Sequence, residues 1–134
     1  MNELNARTYW VKIYIGSVRG YNGTKILENE VVNAIGLFQK NHKKNPLPNA
    51  ADIVSVTLSQ TTYIVEDYVE DGWVIGAIQY PRFIKQEQAI FKYMYTMAEF
   101  LLERFEQNRL TLMTPITTRV LEKENAESHP KLPK

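Results

Sequence analysis

Apolar residues recur at every second position, then at every third or fourth, and this change of period happens twice along the chain. Period two alternates side chains across the two faces of a strand, whereas a period near 3.6 lines them along one stripe of a helix. From Thr8 to Ile15, Tyr9, Val11, Ile13 and Ile15 alternate with Trp10, Lys12 and Tyr14, which predicts a first strand. Leu27, Val31, Ala34, Ile35 and Phe38 follow at helical spacing. Lys40, His42, Lys43 and Lys44 gather at the end of that helix, where cations complement its dipole, so His42 is read as a solvated cap and the helix ends before Pro46.

The second cycle begins at Ile53 to Leu58, where Val54, Val56 and Leu58 alternate with Ser55 and Thr57. Tyr63 to Val69 and Trp73 to Tyr80 flank Asp71-Gly72, a dipeptide whose tolerance of positive φ predicts a tight hairpin turn there. Residues 53 to 69 are compatible with one bent strand or two. Ile90, Met94, Met97, Leu101 and Phe105 then mark a long second helix over Gln86 to Phe105. Leu110 to Val120 is rich in Thr and apolar residues, and Pro115 within it calls for an edge or a bulge, because proline cannot donate to a ladder. Glu122 to Lys134, which includes His129, reads as a solvated tail.

Two β-α-β units in this order predict an α+β, ferredoxin-like fold, an antiparallel sheet with both helices on one face, formed by a single domain over residues 1–121. A length of 134 residues suits one domain, and a 44% hydrophobic share supplies a core. Sixteen basic against fifteen acidic residues leave a net charge of +1, so no overall field favours nucleic acid or an anionic membrane. The absence of cysteine excludes disulfides, thiolate nucleophiles and Cys-based metal sites. Met1 to Arg7 is polar, no apolar run approaches 18 residues, and a cytoplasmic location is expected.

The second helix carries more apolar surface than one sheet face hides. Phe91, Tyr95, Ala98 and Leu102 lie beside its main stripe, and Tyr93 and Phe100 lie further round. On the first strand, Trp10 and Tyr14 point away from the helices. Either the chain's own connectors cover these residues or another subunit does, and the second choice predicts a homo-oligomer, in the simplest case a dimer. Trp10, Tyr14, Tyr93 and Phe100 are therefore the candidate oligomer or ligand interface.

Chemistry-bearing patterns are sparse. Gly16 to Lys25 joins a strand to a helix, a place where backbone amides can hold an anion, and Arg19 and Lys25 would strengthen such a site. The segment has neither the Walker A nor the dinucleotide spacing of glycines, and it reads first as an ordinary flexible connector, with the anion site as the lesser alternative. Glu66, Asp67, Glu70 and Asp71 read as a solvated hairpin tip, since neighbours in a strand point to opposite faces and cannot converge on a cation. No catalytic residue, metal site or cofactor is singled out. Aromatics on a sheet also suit single-stranded RNA, but Gly72 to Ile78 lacks the basic-glycine-aromatic signature of that module, and nucleic acid is not an expected partner.

Val11-Lys12-Ile13-Tyr14-Ile15-Gly16, Gly72-Trp73-Val74-Ile75 and Phe105-Glu106-Gln107-Asn108-Arg109 resemble segments of uncharacterised small bacterial and phage proteins with ferredoxin-like folds, over Tyr9 to about Leu121. The resemblance implies that fold and assigns no site residue. The expected function is a non-catalytic oligomeric or protein-interaction module from a phage or other mobile element. The alternative is a small-molecule binder or enzyme with a pocket between the second helix and the sheet.

Overall fold

The computed structural model describes residues 1–127. Its elements run β1 (Trp10–Gly16), α1 (Glu28–Lys44), β2 (Thr57–Val65), β3 (Tyr68–Ile78), α2 (Glu87–Arg104), β4 (Arg109–Met113) and β5 (Thr118–Glu122). The strands form one antiparallel sheet in the order β2-β3-β1-β4-β5. Its first four strands are the split β-α-β arrangement, so the α+β expectation holds, and β5 extends it by one edge.

Val11, Ile13 and Ile15 of β1, Trp73, Ile75 and Ala77 of β3, and Leu110 and Leu112 of β4 turn inward and are buried. Opposite them lie Ile90, Tyr93, Met94, Met97, Ala98 and Leu101 of α2 and Val31, Ala34, Ile35 and Phe38 of α1. Burying such side chains contributes roughly 1.5–3 kcal/mol each relative to exposure, which makes this layer the main source of stability. The Trp73 indole donates to the Ile26 carbonyl at 3.2 Å, tying the loop before α1 to the sheet. No helix among the described residues is long and apolar enough to cross a membrane.

Four local expectations are corrected. The hairpin turn is Glu66-Asp67, with Glu66 at φ 53, and Asp71-Gly72 lies inside β3. A Cβ at Gly72 would come within 2.5 Å of the Tyr63 ring and 2.7 Å of the Ile15 carbonyl, so this glycine serves close packing rather than a turn. The strand expected from Ile53 starts at Thr57 and continues unbroken to Val65. Leu110 to Val120 is a hairpin rather than one bulged strand: Thr114 Oγ1 accepts from the amides of Ile116 and Thr117 across the turn at Pro115. His42 is buried, not a solvated cap, with Nε2 2.8 Å from the Ala51 carbonyl and its ring 4.7 Å from that of Tyr93.

Glu122 belongs to β5, and residues 123–127 are tied back to the fold through the Lys123 amide on the Asn108 carbonyl and the Glu127 amide on Asn108 Oδ1. His129 lies outside the described residues.

Candidate functional site

Register decides what meets on the helix-free face of the sheet. With the turn at Glu66-Asp67, Tyr63 pairs with Glu70 and Val65 with Tyr68, while Gly16 pairs with Gly72 and Tyr14 with Val74. Alternate residues share a face, so Tyr63, Tyr68, Glu70, Gly72 and Tyr14 lie together on the open side at one end of the sheet.

The Tyr68 hydroxyl donates to Glu70 Oε2 at 2.7 Å. Glu70 Oε1 reaches to 3.8 Å from the point a Gly16 Cβ would occupy, so the carboxylate faces a stretch of bare backbone at the Gly16–Gly72 pair. The Tyr63 ring lies over Gly72. Burial pushes the Tyr63 phenol up to about 12, assisted by the nearby Tyr14 phenol and Glu70 charge. The Tyr68 phenol also rises to about 12, from burial first, then its hydrogen bond to Glu70 and the charges of Glu70 and Tyr21. Both phenols therefore remain protonated donors throughout the neutral range.

Gln107 builds the floor of this corner. Its buried side chain accepts from the Gly16 amide at 3.0 Å and donates to the carbonyls of Val18 and Phe105 at 2.9 and 3.0 Å, fixing the exit of β1. Arg109 closes one flank, donating to the Tyr21 hydroxyl at 2.6 Å and to Glu122 at 2.9 Å.

The residues singled out from sequence are dispersed. Trp10 and Tyr14 are half-buried on the open face, with Lys12 Nζ 5.1 Å above the Trp10 ring. Tyr93 and Phe100 lie on the other side of the sheet: Tyr93 is fully buried edge-on to Phe38, and Phe100 stacks on Phe38 at 5.7 Å. The four cannot make one contiguous interface. Arg19 is engaged inside the fold, 3.0 Å from Glu30 and 5.7 Å from the Phe105 ring, while Glu30 also accepts from the Leu27 amide at 2.8 Å to cap α1. Lys25 is the more open of the two cations and stands 4.0 Å from Asp71, whose side chain alternates with Glu70 and so leaves β3 on the opposite face from the tyrosine–glutamate cluster.

A carboxylate held among phenol rings is suited to a cation that is itself flat or apolar, because the charge supplies attraction and the ring faces add cation–π contact without demanding hydrogen bonds. A known protein shares this architecture. The chain has the fold of a phage SAM lyase. That enzyme's structure in complex with S-methyl-5'-thioadenosine matches with a TM-score of 0.64 at 15% identity, over 95% of this chain and 98% of the other. Its apo state matches with a TM-score of 0.60 at 14% identity, with the same coverage. No protein family and no curated protein sequence matches the chain.

This likeness overturns the expectation of a non-catalytic oligomeric or protein-interaction module, since a chain of the same fold and nearly the same extent is an enzyme acting on a small molecule. The alternative, a small-molecule binder or enzyme, is the better supported of the two. Tyr63, Tyr68 and Glu70 escaped the sequence reading because a turn placed at Asp71-Gly72 takes Tyr63 and Glu70 out of register. A turn at Glu66-Asp67 would have brought them opposite one another.

Proposed function

We propose that this protein is a lyase for SAM or a closely related sulfonium compound, releasing S-methyl-5'-thioadenosine at the Tyr14–Tyr63–Tyr68–Glu70 corner of the sheet. The observation that carries the proposal is the Glu70 carboxylate, bonded to Tyr68, in a cluster of tyrosines on a fold whose solved counterpart is a SAM lyase. In SAM the sulfur bears the positive charge. When its bond to the amino-acid side chain breaks, the electron pair stays on sulfur and the product is a neutral thioether, while the carbon's vacated bond is filled from within the substrate, no water being added. Glu70 supplies the negative charge that holds the sulfonium, Tyr68 keeps that carboxylate oriented, and the Tyr63 ring, seated over Gly72 and partly exposed, offers a face for a flat ring to stack on.

The phage origin and the cytoplasmic location expected from sequence belong to the same proposal, as does a homo-oligomer joined at the open sheet face around Trp10 and Tyr14, with the Tyr63–Tyr68–Glu70 end left accessible at its margin.

The test is incubation of purified protein with SAM, with S-methyl-5'-thioadenosine measured by liquid chromatography and mass spectrometry. A unit charge pair about 4 Å apart at a protein surface is worth up to about 4 kcal/mol, and partial exposure reduces that, so Glu70→Gln should lower kcat/KM by roughly 10–100-fold. Product formation no faster than in buffer, or equal rates for wild type and Glu70→Gln, would remove the proposal.

A further inference from the structure

An open cleft lies on the opposite side of the sheet. The β5 register pairs Leu121 with Leu110 and Arg119 with Leu112, so Arg119 occupies the inward-facing row of its strand, where the neighbouring positions are apolar. Its guanidinium lies 5.0 Å over the Phe91 ring. It makes no ion pair among the described residues. Phe91 and Tyr95, one helical turn apart on α2, form an aromatic wall with ring centroids 5.8 Å apart. Between this wall, Arg119 and the turn of the β4–β5 hairpin is an open cleft of about 870 Å³, a volume within the range of small-molecule sites. Tyr9 lies on its floor, and the phenol is raised by burial first and by Glu87, with Arg119 acting in the opposite sense, so both charges reach into the same cleft. Glu87 has a partner of its own in Arg7, at 3.3 Å.

We propose that this cleft is a second ligand site, distinct from the tyrosine–glutamate corner, and that it takes a flat aromatic carboxylate with its ring against Phe91 and Tyr95 and its carboxylate on Arg119. A guanidinium stacked on a phenyl ring keeps its edge of N–H donors free for a planar carboxylate, and the same stacking aligns a second ring with the first. Lys92, whose ammonium reaches the Pro48 carbonyl at the rim, adds to the positive potential. Edge strands also carry inward-pointing charges that deter pairing between chains. That role asks only that the charge face water, and it does not account for the aromatic wall or the cleft beneath it.

The probe is 2-naphthoate, titrated into the isotopically labelled protein and followed by amide chemical shifts. The expected result is saturable binding that moves the amides of residues 91–95, 114 and 116–119. Arg119→Ala should weaken it at least tenfold, 2-naphthamide and cyclohexanecarboxylate should each bind at least tenfold more weakly than the probe, and Glu70→Gln should leave it unchanged. Absence of saturation at millimolar probe, an affinity unaltered in Arg119→Ala, or shifts confined to residues 63–72 would each overturn the proposal. Unaltered affinity together with new self-association of Arg119→Ala would assign Arg119 to edge protection instead. Binding is read without turnover, so failure here is separable from failure of the lyase proposal.

Discussion

Replacing Gly72 by alanine tests how tightly the candidate corner is built. A Cβ at that position would sit 2.5 Å from Tyr63 Cε2 and 2.7 Å from the Ile15 carbonyl oxygen, both well inside van der Waals contact. The first clash is with a side chain on the rim of the sheet, which can swing outward. The second is with the backbone of the paired strand β1, which can yield only by distorting the ladder. Overpacking of this kind typically costs about 1–3 kcal/mol. Stability of a 134-residue domain changes by about 3–5 °C in Tm per kcal/mol, so Gly72→Ala should melt roughly 3–15 °C below wild type by differential scanning fluorimetry. The two clashes can be separated. In a Tyr63→Ala background the ring clash is gone and the carbonyl clash remains, so the same glycine substitution should cost less but not vanish, a coupling of about 0.5–3 kcal/mol. A Tm within 1 °C of wild type for Gly72→Ala would refute the close packing of Tyr63 on the strand, and with it the geometry assigned to the corner.

The raised phenols make a pH-dependent contribution with a definite sign. Tyr63 and Tyr68 ionise near 12 in the folded chain and near 10 when unfolded, so between those values the unfolded state has already lost protons that the folded state retains. Their contribution is complete below about pH 10 and is lost as pH rises towards 12, so urea midpoints should fall across that window and fall less in the Tyr63→Phe, Tyr68→Phe double variant; equal slopes would contradict the assignment. For the self-association proposed around Trp10 and Tyr14, the Trp10→Ser, Tyr14→Ser double variant should lower the mass measured by light scattering, and an unchanged mass would rule out that face.

The alternation in β1 and the helical stripes of α1 and α2 were readable because burial on one side of a regular element writes its period into the chain. That was enough for the α+β class and the order of the first four strands. Hairpin register was less legible. Asp71-Gly72 has better turn chemistry than Glu66-Asp67, yet the ladder from Thr57–Gly76 to Val65–Tyr68 outweighs it, and Glu66 takes a positive φ to allow this. His42 shows the same limit: at a basic helix end it reads as solvated, and only the approach of Ala51 and Tyr93 from distant positions buries it.

The breadth of the apolar surface on α2 was visible in the sequence, but its disposition was not: the chain's own elements bury or half-bury it, and no large apolar side chain of α2 is exposed among the described residues. Tyr93 goes into the helix–helix seam, Phe100 stacks on Phe38, and Phe91 and Tyr95 line an open cleft beneath Arg119. Periodicity reports which side chains avoid water, since that depends on neighbours three or four residues away. The meeting of Tyr63 with Glu70 across a hairpin, and of Phe91 with Arg119 across the fold, depends on strand pairing and packing, which the chain specifies only once it has closed on itself.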